Sequence, residues 1–176
     1  MSRRFSKRAL VHSELRSLPS SMPLIIPDDR EYDISTNELR LIPGKSRSGL
    51  KIVPETLQLL EDIQRPVAVT AICGPCRTGK SYVLSRMLGS ADAFELGHTM
   101  DAKTFGIWIG TTVLECEEFT LVLMDTEGID AVSATMKDDA SVLVMTVLLS
   151  SYLIYNSIGV PKHNDLQKMR LVTKCP

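Results

Sequence analysis

The sequence predicts an α/β layered fold with a mostly parallel sheet, and three observations carry that reading. An apolar, β-branched run at residues 66–73 (PVAVTAIC), bounded by proline and glycine, has the length of a buried central strand. It leads through a glycine loop into residues 81–88 (SYVLSRML), which read as a helix closed by Gly89. A second strand-like run, FTLVLM at 119–124, comes later, so strands and helices alternate along the chain.

The remaining elements follow in order. Residues 1–22 are rich in Arg, Lys and Ser with a single acidic residue, and they are expected as a disordered tail. The same acid-poor composition also fits a mitochondrial targeting segment. Residues 23–49 carry Pro, Gly and Asp-Asp signals around short apolar pieces such as PLIIP, which suggests an extended lead-in pinned to the edge of the domain that occupies 50–176. At 54–63, Leu57, Leu60 and Ile63 recur at helical spacing, with Pro54 acceptable in the first turn and Pro66 ending the pattern. Strand-like segments at 106–116 and 119–124 flank Glu117-Glu118, a hairpin turn. The stretch VLVMTVLLSSYLIY within 138–157 suits a core helix; a membrane span needs about 20 uninterrupted apolar residues.

A chain of 176 residues has room for one compact domain and a tail. Its 44% apolar content and mean hydropathy of +0.05 fit a soluble domain, with no membrane contact indicated. An aromatic content of 5% argues against a stacking surface for single-stranded nucleic acid. The net charge of −1 supplies no global field for polyanions, so phosphate binding has to come from a local site and nucleic acid is not an expected partner. The four cysteines, Cys73, Cys76, Cys116 and Cys175, follow no disulfide framework, which favours a reducing, cytoplasmic location. Cys73 and Cys76 form a C-x-x-C that reads either as a redox or half-zinc motif, or as a strand-end and a loop cysteine with no shared task; no second pair follows it.

Local phosphate chemistry is encoded at residues 74–81. Gly74, Pro75, Cys76, Arg77, Thr78, Gly79, Lys80 and Ser81 match G-x-x-x-x-G-K-[ST], between a strand and a helix as the chemistry requires. The glycines let successive backbone N–H groups wrap a phosphate, and the helix adds the partial positive charge of its N-terminus. Lys80 reaches the β and γ phosphates, Ser81 offers a hydroxyl to Mg²⁺, and Tyr82 completes the nucleotide-binding set. The strand at 119–124 ends in Asp125-Thr126-Glu127-Gly128, a D-x-x-G in which Asp125 holds a Mg²⁺-bound water and the Gly128 N–H meets the γ-phosphate. Thr104, in the polar stretch before the strand at 106–116, is the candidate for a threonine that closes over the metal; a simple strand-start threonine is the alternative. Together these features predict the layered fold of a P-loop nucleoside triphosphatase with Mg²⁺ as cofactor.

The blocks GPCRTGKSYVL, LGHTMDAKTFGIW, VLMDTEGID and VLLSSYLIYNSIG resemble the guanylate-binding proteins, which are large dynamin-like GTPases, and more distantly the atlastin and root-hair-type GTPases. The resemblance covers about residues 50–167 and implies GTP as substrate, hydrolysed at its γ-phosphate to GDP and, by the same analogy, to GMP. It makes Arg77 an internal arginine finger, although without the family Arg77 also reads as surface charge. A guanidinium beside the γ-phosphate neutralises charge that develops in the transition state. By the same resemblance Thr104 is the first switch threonine, Asp125 lies on the Mg²⁺ side, and Glu127 helps organise the attacking water; a solvated loop glutamate is the alternative for Glu127. Guanine nucleotide is the implied ligand, and a nucleotide-dependent homodimer through paired G domains is the implied partner.

Two departures stand out. Ala102 occupies a place where guanylate-binding proteins commonly have a serine that helps position water. The closing TKCP at 173–176 begins like the T-K-x-D guanine motif, with Pro176 where the carboxylate belongs. The expectation is therefore a partial, C-terminally incomplete G domain. A catalytically weak nucleotide-binding or interaction module is one alternative; a P-loop ATPase is another, which accounts for the cradle but not for Arg77 or D-T-E-G.

Overall fold

The computed structural model describes residues 6–11, 18–90, 93–94, 104–128, 136–160 and 163. Its centre is the apolar run expected as a core strand. Val67–Cys73 forms β6, and Thr120–Thr126 (β9) lies parallel to it with Val67 opposite Thr120 and Ala71 opposite Met124. On the other side of β6, Tyr152–Tyr155 (β10) is also parallel, Tyr152 facing Thr70. Parallel neighbours need crossovers. Lys80–Met87 (α2) lies within the connection from β6 to β9, and Met136–Leu149 (α3) within that from β9 to β10. The two connections run in opposite directions across the sheet, which places their helices on opposite faces.

Side-chain alternation records this layering. Ala71, Val122 and Met124 face one side of the sheet with Val142 of α3 and with Leu59 and Ile63 from Pro54–Glu61 (α1) and the turn after it. Ile72 and Leu123, one residue out of phase, face the other side with Leu84 and Leu88 of the α2 segment and with Phe94. Burying each of the larger of these side chains is worth about 1.5–3 kcal/mol. Helix α2 closes at Gly89, whose φ of +62° few other residues tolerate, while the Ser90 N–H returns to the Ser85 carbonyl.

The free edge of β9 is shared by Ile107–Gly110 (β7) and Thr112–Glu115 (β8), both antiparallel to it. The Glu117-Glu118 turn appears as expected, with the Cys116 N–H bonded to the Phe119 carbonyl. Ser21–Pro27 (β2) pairs antiparallel with β7, Leu50–Ile52 (β5) with β2, and Ser6–Ala9 (β1) with β8. Among the described residues two pairings of the main sheet are parallel and five antiparallel, so the expectation of a mostly parallel sheet is corrected. The cause is connectivity. Two crossover helices supply two parallel neighbours, the tight turn at Glu117-Glu118 sets β8 antiparallel to β9, and the N-terminal strands add further antiparallel pairs.

The N-terminal expectations change as well. Ser6–Ala9, expected within a disordered tail, is paired to β8: backbone groups on that edge accept a polar sequence, and Arg8 adds an ion pair to Glu115 at 2.9 Å. The PLIIP piece is not at an edge. β2 is buried along its whole length between β7 and β5, and it accommodates Pro23 beside a register shift between Pro23 and Ile25. Arg30–Asp33 (β3) and Glu38–Leu41 (β4) form a separate two-stranded hairpin.

Two helix readings shift. In α1 the inward residues are Thr56 and Leu59, whereas Leu57 is exposed. The apolar stretch after residue 138 is a helix only to Leu149, and YLIY turns into strand β10. Ser151 makes the change by exchanging bonds with Val69: its backbone N–H donates to the Val69 carbonyl and its hydroxyl accepts the Val69 N–H. Among the described residues no helix is long and apolar enough to cross a membrane. A cavity of about 380 Å³ lined by Ala68, Thr70, Phe119, Leu121, Ser151 and Tyr152 sits toward the amino ends of the parallel strands, remote from the glycine loop at their carboxyl ends.

Candidate functional site

The glycine loop leaves the carboxyl end of β6 through Gly74, at φ +140°. A Cβ there would lie 2.1 Å from the carbonyl oxygen of Asn156, so the chain leaving β10 occupies the space a side chain would need. Asn156 also fixes the loop from outside. Its backbone N–H bonds to the Cys73 carbonyl at 2.8 Å, and its side-chain amide donates to the Thr78 carbonyl at 2.8 Å. Within the loop, the Thr78 hydroxyl and the Lys80 ammonium both donate to the Pro75 carbonyl, at 3.1 and 3.0 Å. Arg77 is exposed and holds a left-handed conformation, φ +65°. Gly79, at φ +83°, begins α2 with no side-chain cap, which leaves the helix N-terminus to a ligand's oxygens.

Three oxygen donors converge beside the loop. The Ser81 hydroxyl donates to Asp125 Oδ2 at 2.6 Å, and the Thr104 hydroxyl reaches the same atom at 3.5 Å. Asp125 Oδ1 accepts the Thr126 N–H. The carboxylate is buried at the end of β9, and that burial pushes its pKa up, opposed by the Ser81 hydrogen bond and the Lys80 charge. Burial pushes Lys80 down, opposed chiefly by Asp125. Hard oxygen donors with one carboxylate suit Mg²⁺, which retains most of its waters. Among the described residues no cluster of three or more His, Cys, Asp and Glu offers an alternative metal cage.

The D-x-x-G segment meets the loop directly. A Cβ on Gly128 would fall 2.4 Å from the Cys76 Cα, so this glycine is required by contact with the loop backbone. Glu127 is buried rather than solvated. Its buried carboxylate accepts a forked guanidinium from Arg47, at 3.2 and 3.3 Å, and the Gly106 N–H at 3.1 Å. Arg47 and Asn156 are the partners sequence reasoning missed. Asn156 lay within the YNSIG block, but Arg47 carries no motif. Tyr82 is on the exposed side of α2, and Cys73 is a buried thiol pushed up to about 11. Cys73 is therefore a core residue at neutral pH. Ala102, Cys175 and the TKCP end lie outside the described residues.

Comparison with known proteins decides the family. The family model described as guanylate-binding protein, N-terminal domain, matches residues 47–175. The chain belongs to the guanylate-binding protein family. It is 39% identical over 127 residues to human guanylate-binding protein 4, covering 71% of this chain and 20% of that protein. Mouse guanylate-binding protein 7 is likewise 39% identical over 127 residues, with the same shares. Human guanylate-binding protein 2 is 37% identical over 131 residues, covering 73% of this chain and 22% of that protein. The chain thus spans about a fifth of the length of these relatives. The guanylate-binding match takes in the phosphate loop, Thr104 and the D-T-E-G segment, and it begins at Arg47.

Proposed function

We propose that this chain binds Mg²⁺-GTP at the 74–81 loop and hydrolyses it to GDP. The observation that carries the reading is the convergence of the Ser81 and Thr104 hydroxyls on buried Asp125, with Lys80 folded across the loop next to them. Backbone N–H groups of the loop and the start of α2 would hold the phosphates, and Lys80 would exchange the Pro75 carbonyl for phosphate oxygens. Ser81 and Thr104 would hold Mg²⁺ with Asp125 acting through water; the bound ion supplies neutralisation of the phosphate charge. In hydrolysis a water oxygen bonds to the γ-phosphorus while the bond from that phosphorus to the β–γ bridging oxygen breaks; the bridging oxygen leaves with GDP, and the water's proton ends on the released phosphate. Exposed Arg77 would neutralise charge on the transferring group, and a second copy joining in a nucleotide-dependent homodimer would order it. The guanine preference rests on the names of the relatives, and the cytoplasmic location on cysteine usage.

Titration of the chain with GTP and with ATP in Mg²⁺, alongside Lys80→Ala, tests this. Tighter GTP binding, lost by about 10–100-fold in the variant, is expected. Unchanged affinity in Lys80→Ala would remove the site, and equal affinity for both nucleotides would remove the guanine preference. Phosphate release above the buffer rate tests hydrolysis, and mass measurement with and without nucleotide tests the dimer.

A further inference from the structure

The loop that brings Arg47 to Glu127 is itself held in place. Asp28 accepts both the backbone N–H and the hydroxyl of Ser48, and its own N–H donates to the Gly49 carbonyl. The two Ser48 bonds hold the Asp28 carboxyl well below the usual range. Arg47, next in the chain, therefore arrives from an anchored turn. The pair it forms is almost enclosed, with 11% of the arginine side chain and 2% of the glutamate exposed.

Glu127 connects this turn to both segments that would sense a terminal phosphate. Its carboxylate accepts the Gly106 N–H, and its own backbone N–H returns to the Gly106 carbonyl at 2.7 Å. Gly106 is two residues from Thr104 and is pressed against β2, where a Cβ would meet the Ile25 carbonyl at 2.1 Å. On the other side Glu127 adjoins Gly128, which packs on Cys76 of the phosphate loop. A second arginine repeats the pattern. Arg30, from the β3–β4 hairpin, lies 3.7 Å from the centre of the Phe105 ring, between Thr104 and Gly106.

We propose that Arg47 is a positioning residue that, by neutralising and orienting the Glu127 carboxylate, locks the Thr104–Gly106 and D-T-E-G segments together as one triphosphate-sensing unit. Arg47 acts through Glu127 and touches no phosphate. The inference rests on the nucleotide-binding reading above, and it adds a residue of the N-terminal segment to that site. The planar fork matters, since a lysine supplies the charge without the two parallel bonds.

The test uses the full chain, a non-hydrolysable GTP analogue, GDP and Mg²⁺. In Arg47→Met the preference for triphosphate over diphosphate is expected to fall about tenfold, with GDP affinity changed less than about twofold. Amide exchange at Gly106 and Glu127 should accelerate, and Arg47→Lys should recover part of both effects. Arg40→Met, on the exposed hairpin, is the control. A merely structural arginine would lower the unfolding midpoint and leave the nucleotide ratio unchanged. If the ratio and the exchange both match the unaltered chain, the proposal is overturned. If Arg47→Met does not fold, the same two readings on Arg47→Lys decide it. If the unaltered chain binds neither nucleotide, the proposed function fails, while exchange at Gly106 still decides the lock.

Discussion

The Ser81 hydroxyl and the Asp125 carboxylate meet at 2.6 Å, joining the first turn of α2 to the end of β9. One group belongs to the phosphate loop and the other to the D-x-x-G segment, 44 residues apart. Their contact brings the hard oxygens of the proposed site to one point. It also leaves a carboxylate buried in the free protein, an arrangement that favours ligand over stability.

Asp125→Asn should separate those two demands. Burial raises the Asp125 pKa, so the folded state binds that proton more tightly than the unfolded chain. Its contribution to stability is therefore present below 3.8, the ordinary value, and is lost as pH rises through the raised one. Urea unfolding without Mg²⁺ should show that decline in the unaltered chain and a flatter profile in the variant. Mg²⁺-dependent nucleotide affinity should weaken tenfold or more. A variant with the same pH profile and the same affinity would contradict both expectations.

Asn156→Ala tests the outer clamp on the loop. The substitution removes the amide bond to the Thr78 carbonyl and keeps the backbone bond to Cys73. One such hydrogen bond is worth about 0.5–1.5 kcal/mol. Nucleotide affinity should accordingly fall about 2–10-fold, measured by calorimetry, with the unfolding midpoint moving down only slightly. Wild-type affinity would mean that Thr78 is held without Asn156.

What the sequence disclosed and what it hid follow from the range of the interactions. The phosphate loop was legible because its geometry is local: Gly74 and Gly79 supply the backbone angles, and Lys80 and Ser81 follow at once. The 119–124 strand and its D-T-E-G end were legible for the same reason. Arg47 was not, because its partner is 80 residues away and an arginine among Gly, Lys and Ser signals only a polar loop. Strand direction was hidden too. β1 and β2 join the sheet antiparallel through edges offered by β8 and β7, and the polar SKRA of β1 has no alternation to announce it. The change from α3 to β10 depended on Ser151 finding Val69, a contact 82 residues long.

Arg77→Gly addresses the proposed finger. Arg77 holds φ +65°, which costs a non-glycine residue about 1–2 kcal/mol. Glycine removes that strain and returns about 0.5–1 kcal/mol of it as chain entropy, so stability should stay level or rise slightly. Hydrolysis should fall about a thousandfold while GTP affinity stays within a few fold. A phosphate-release assay showing an undiminished rate would assign Arg77 to surface charge.

Gly128→Ala probes the contact between D-T-E-G and the loop. The added Cβ would lie 2.4 Å from the Cys76 Cα, 2.8 Å from its Cβ and 2.9 Å from its nitrogen. These are mainly backbone atoms, so no side-chain rotation relieves the clash and one of the two segments has to move. Overpacking of this kind costs about 1–3 kcal/mol of stability. The effect on ligands should be unequal. On the proposed reading a diphosphate would be held by the loop and α2, which can keep their shape if the D-T-E-G segment retreats, whereas a triphosphate would need the Gly128 N–H close by. Affinity for the non-hydrolysable GTP analogue should therefore drop by more than affinity for GDP. Equal losses for both ligands would show that the phosphate loop itself yields and that Gly128 serves packing alone.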